Sequence, residues 1–129
     1  MPKAATILCV DDEELGLKIR KLLLEANGYT VLTASDAEAA LALFETNTFD
    51  LVITDHLLPT IPGTELARIM KQRKPAVRIA LLTGCPEQPD DSQHLDCCIV
   101  KGEEPTAFLQ KVAELLRSRK KSRAQSCAC

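Results

Sequence analysis

Five side chains of this chain could do chemistry together. Asp11 and Asp12 follow the apolar run Ile7-Leu8-Cys9-Val10, and Asp55 closes Leu51-Val52-Ile53-Thr54. Thr83 ends Val77-Arg78-Ile79-Ala80-Leu81-Leu82, and Lys101 ends Cys97-Cys98-Ile99-Val100. Each stands where a short strand-like segment stops. Three carboxylates brought together repel, and one is driven to protonate unless a cation sits among them. Magnesium suits such a group, because it takes oxygen ligands and is held by one or two carboxylates plus phosphate oxygens. Asp11 and Asp12 share one loop, so one of them ligates directly and the other works through water. Asp55 is then free to attack a phosphoryl group as a nucleophile. The Thr83 hydroxyl and the Lys101 ammonium can take equatorial phosphoryl oxygens.

Such a pocket requires elements that bring strand ends to one edge. Five strand-then-helix units are legible. Strands are expected at about Ala5–Val10, Thr30–Ala34, Leu51–Thr54, Val77–Leu82 and Cys97–Val100. The first helix is expected to bury Leu15, Ile19, Leu22, Leu23 and Ala26, and to stop at Gly28. Ser35 with Glu38 reads as a capping box for a second helix with Ala37, Ala40, Leu41 and Phe44 inward. A third, from about Gly63 to Arg73, places Leu66, Ile69 and Met70 inward. The last opens near Glu104 and Pro105, with Phe108, Leu109, Val112, Leu115 and Leu116 inward. Strands alternating with helices give an α/β fold with a doubly wound parallel sheet, whose ligand edge lies at the carboxyl ends of the strands. The stretch from Gly84 to Asp96 carries two prolines and four acids, and admits at most a single helical turn.

Composition sets the frame. A chain of 129 residues is one domain, and 46% apolar with 26% charged residues is an ordinary globular balance. Aromatics at 3% leave few stacking platforms for single-stranded nucleic acid, so nucleic acid is not expected as a partner. No stretch reaches membrane-span length and no signal segment follows Met1, which points to a cytoplasmic protein. Five basic residues and no acid lie between Arg117 and Cys129, leaving 11 basic against 18 acidic residues before them. We read residues 1–116 as one domain and 117–129 as a basic, disordered tail whose charges form a solvated helix end. The six cysteines lack zinc-site spacing and read as reduced thiols. His56 and His94 have no ligand-like neighbours in sequence and receive no role.

Taken singly, an acid at a strand-to-helix junction is usually a helix cap, and each of the other groups has an equally plain use. Their joint placement is what carries the argument. The order Asp11-Asp12, Asp55-His56-Leu57-Leu58-Pro59-Thr60-Ile61-Pro62-Gly63, Thr83-Gly84 and Lys101 resembles the receiver domain of two-component response regulators, the CheY-like superfamily, over about Lys3 to Leu116. The resemblance implies a flavodoxin-like five-stranded sheet of order 2-1-3-4-5. It implies a non-enzymatic phosphoacceptor of a phosphorelay, taking a phosphoryl group on Asp55 with Mg2+ from a sensor histidine kinase or phosphotransfer protein. It also implies a metal site of Asp11, Asp12, Asp55 and the Leu57 carbonyl, room for the phosphoryl group beside Gly84, and a downstream protein that reads the phosphorylated form.

Three departures stand out. Gly102 replaces the usual proline after the lysine. Cys98 replaces the aromatic ring that reports phosphorylation in the family. The fourth helix is degenerate, as the Gly84–Asp96 stretch indicates. These departures motivate an alternative, a binding module that keeps the fold and signals by contacts without phosphorylation. A phosphatase or nucleotide-binding α/β enzyme is a third reading, opposed by the lack of a glycine-rich phosphate loop and by Leu57 standing where a general acid would follow Asp55.

Overall fold

The computed structural model of the chain describes residues 5–84 and 95–117. Its elements run β1 (Thr6–Val10), α1 (Glu14–Ala26), β2 (Thr30–Ala34), α2 (Ala37–Thr46), β3 (Leu51–Asp55), α3 (Gly63–Arg73), β4 (Arg78–Thr83), β5 (Cys97–Val100) and α4 (Pro105–Arg117). The strands form one parallel sheet of order β2-β1-β3-β4-β5, the doubly wound arrangement expected from the sequence. The region of the family's fourth helix and the basic tail lie outside the described residues, apart from Gly84, Leu95, Asp96 and Arg117. No helix among the described residues is long and apolar enough to cross a membrane.

The strands read as near-continuous apolar runs because both faces of the sheet are covered. On one face Leu8, Val10, Val52, Ile79 and Leu81 pack against Ala37, Ala40 and Phe44 of α2 and Leu66, Ala67 and Met70 of α3. On the other, Ile7, Cys9, Ile53, Ala80 and Ile99 pack against Leu17 and Leu24 of α1 and Phe108 and Val112 of α4. Successive side chains of the central strands alternate between the two cores, so a one-residue register slip would exchange them.

Helix α1 is rotated relative to the expected orientation. Leu17 and Leu24 are its buried residues, whereas Leu15, Ile19 and Leu22 are 66, 54 and 66% exposed and Ala26 is exposed. Leu23 alone of the expected set packs on the core, and only in part. The helix carries two apolar stripes, and periodicity cannot say which one faces inward. In α2, Asp36 rather than Ser35 is the cap: its side chain accepts from the Ala39 amide at 2.8 Å. The shorter extension of the helix makes Ala39, not Glu38, the third residue. In α3, Ala67 takes a fully buried place and Ile69 is half-buried. Cys97 is disulfide-bonded, against the expectation of reduced thiols, because pairing depends on proximity in space rather than spacing in sequence. Cys9 and Cys98 are buried.

Candidate functional site

The register aligns the chemistry. Val10 pairs with Thr54, Asp55 with Leu82, and Thr83 with Val100. Asp11 and Lys101 each lie one residue beyond a paired strand end, so the candidate groups meet at the carboxyl edge of β1, β3, β4 and β5. Backbone bonds pin that edge. The Asp11 amide donates to the Ala34 carbonyl at 3.1 Å, the His56 amide to Leu82 at 2.9 Å, and the Lys101 amide to Thr83 at 2.8 Å.

Asp11, Asp12 and Asp55 each present a carboxylate oxygen, and these oxygens lie within 4.8 Å of one another. Asp11 and Asp55 are buried and Asp12 is exposed. Neither Asp11 nor Asp12 caps α1, because Glu13 occupies that position without a side-chain bond. Asp11 Oδ1 instead accepts from the Glu13 amide at 2.9 Å, which fixes its carboxylate in the loop. Lys101 Nζ stands 2.9 Å from Asp55 Oδ1. Burial pushes the Asp55 carboxyl above its ordinary value, the Lys101 ammonium opposes this, and the Asp11 charge adds to the rise. Burial disfavours the charged form of Lys101, but its bond to Asp55 and the Asp11 charge outweigh this and hold its amine above the ordinary range. Three oxygen donors gathered this closely, two of them buried and crowded by like charge, fit a hard divalent cation such as magnesium.

Thr83 is buried at the end of β4, and a Cβ added to the exposed Gly84 would meet no described atom within 4 Å. Leu57 is exposed in the loop after Asp55. Cys98 is buried in the cluster that includes Leu81 and Leu95, with no aromatic ring at that position. The departure at Gly102 has a backbone reason. Its φ is +88°, which proline cannot adopt. Gly63 is required by close approach: a Cβ there would sit 2.1 Å from the Asp55 carbonyl oxygen, while the Gly63 amide donates to the His56 carbonyl at 2.8 Å. The start of α3 is thereby pressed onto the backbone of Asp55. Cys9 lies beneath the edge, with burial pushing its thiol up to about 12, so it is inert at neutral pH.

One residue at the site escaped the sequence reading. Arg20, one turn beyond Gly16 on α1, reaches back to pair through Nη2 with Asp11 Oδ2. A charged residue on the stripe that also holds Leu17 and Leu24, one turn after a glycine, was the available signal.

Comparison with known proteins identifies the family and the fold. The family model described as the response regulator receiver domain matches residues 7–113. The alkaline phosphatase synthesis transcriptional regulatory protein PhoP of Bacillus subtilis is 42% identical over 84 residues, 65% of this chain and 35% of that protein. The gliding motility regulatory protein of Myxococcus xanthus is 32% identical over 120 residues, 88% of this chain and 15% of that protein. The chain thus spans about a third or less of the length of these relatives. A CheY-like receiver domain protein from Methanospirillum hungatei superposes with a TM-score of 0.83 at 32% identity, covering 89% of this chain and 95% of that one. The response regulator protein TrrA of Thermotoga maritima, solved in complex with Mg2+ and BeF, gives a TM-score of 0.81 at 34% identity, covering 86% and 98%. Receiver domains are signalling domains that work between sensor kinases and downstream effectors. A five-stranded sheet of this order, carrying three acids, a threonine and a lysine at one edge and matched by the family over residues 7–113, makes this chain a member of the response regulator receiver domains.

Proposed function

We propose that the chain is a phosphoacceptor that takes a phosphoryl group from a phosphohistidine donor onto Asp55. The observation that carries this reading is the convergence of Asp55 with Asp11, Asp12 and Lys101 at the strand edge. An Asp55 carboxylate oxygen attacks phosphorus as the phosphorus–nitrogen bond of the donor breaks. The bonding pair stays on the imidazole, which leaves neutral if its other nitrogen already carries a proton and otherwise takes one from solvent, and an acyl phosphate is left on Asp55. Lys101, paired with Asp55 beforehand, moves to a phosphoryl oxygen, and the Thr83 hydroxyl donates to another. Asp11, Asp12, Asp55 and the Leu57 carbonyl would hold a magnesium ion, which would neutralise phosphoryl charge. The side chains do no other covalent work; positioning and charge suffice.

The exposed stripe of Leu15, Ile19 and Leu22 on α1 supports a protein donor. It begins four residues after Asp11, and three large apolar side chains on one helix face suit a partner's apolar surface. With a kinase or phosphotransfer protein as donor, the chain acts in the cytoplasm and passes the signal to a downstream protein. The intact acidic and basic set favours this reading over a binding module that works without phosphorylation. Incubation with acetyl phosphate and magnesium should add one phosphoryl mass to the protein and none to an Asp55→Asn variant. Addition retained on the variant overturns the assignment.

A further inference from the structure

We propose that Arg20 is a tethered counter-ion that competes with the divalent cation for Asp11, so that ion binding requires the guanidinium to withdraw. The inference rests on the metal-dependent reading of the site. Its basis is the path of the Arg20 side chain. The guanidinium crosses Gly16 to reach Asp11: a Cβ on Gly16 would stand 3.3 Å from Nη2 and 3.6 Å from Nη1. Glycine at position 16 leaves that path open, where a Cβ would make a tight contact with the guanidinium. The carboxylate it reaches is 1% exposed and the arginine side chain 17%, so water screens the pair only weakly.

Charge at the pocket follows directly. Asp11, Asp12 and Asp55 carry three negative charges and Lys101 returns one. Without Arg20 the surplus matches a divalent ion; with Arg20 it is halved. One Asp11 oxygen accepts from the Glu13 amide and the other from Arg20, so both are committed before an ion arrives. The guanidinium is also poorly settled where it lies. Its Nε is buried and has no hydrogen-bond partner, which lowers the cost of moving it outward. Arg20 therefore keeps the acidic pocket folded without metal and weakens its grip on metal.

The test is magnesium affinity by titration calorimetry on the full chain, compared with Arg20→Gln and Arg20→Leu. The leucine variant keeps an apolar stem over Gly16, and thermal melts establish that each variant is folded. Both neutral variants should bind magnesium about tenfold more tightly or better, as expected for removing one cation from the edge of a weakly screened site. Saturable binding to the natural chain with no tightening, or with weakening, in the folded variants overturns the role of Arg20 and leaves the metal site standing. Failure of all three proteins to bind magnesium overturns the metal-dependent reading itself, and this proposal with it.

Discussion

Replacing Asp55 by Asn should stabilise the protein in the absence of divalent ions. Asp55 is 4% exposed and its carboxylate lies within 4.8 Å of that of Asp11. At an effective dielectric of about 20, two like charges at that separation repel by about 3 kcal/mol. Arg20 on Asp11 reduces this repulsion. The Lys101 pair offsets it further, by no more than about 1 kcal/mol given that Lys101 is about one-third exposed. The net gain for Asn is then about 1 kcal/mol, or a rise in Tm of about 4 °C for a domain of this size. The pH dependence has a definite sign. Burial and Asp11 raise the folded-state value of Asp55 above its ordinary 3.8. The natural protein therefore keeps its full stability, relative to the variant, below that pH, and loses it as pH rises through the raised value. The Tm difference between variant and natural protein should be smallest below pH 3.8 and reach a plateau toward neutrality, in buffers containing a chelator. A variant melting at or below the natural protein at pH 7, under those conditions, would refute the claim that ionised Asp55 is held at a cost.

Two further outcomes follow from the geometry. Gly63→Ala should destabilise the fold by about 2 kcal/mol, seen as a lower urea midpoint, because its Cβ would strike the Asp55 backbone rather than a flexible side-chain end. Ile19→Lys should leave phosphorylation by acetyl phosphate unchanged while slowing transfer from a phosphorylated histidine-containing protein donor about tenfold, since it charges the exposed α1 stripe without touching the acids.

The candidate edge was legible because each candidate residue closes a strand-like run, and a parallel sheet brings such ends together whatever the helices do. Gly63 could be quoted as part of a motif, but its reason, a close approach to the Asp55 carbonyl, exists only in three dimensions. The orientation of α1 was not legible. Leu15, Ile19 and Leu22 make as regular a stripe as Leu17 and Leu24, and the sheet selects the second. That same rotation carries Arg20 to the pocket, so misjudging the face also hid the arginine. Ser35 and Asp36 are both good caps, and which one serves depends on where the chain leaves β2. The pairing of Cys97 depends on a distance that no spacing reveals.

Chemical trapping locates the phosphoryl group on the chain. The protein is incubated with acetyl phosphate, with magnesium or with a chelator, then reduced with borohydride, which converts an acyl phosphate to the corresponding alcohol. Peptide mass spectrometry then finds the altered residue. Homoserine is expected at position 55, formed with magnesium and strongly diminished under chelation. Modification at Asp11 or Asp12, or magnesium-independent modification at position 55, would contradict it.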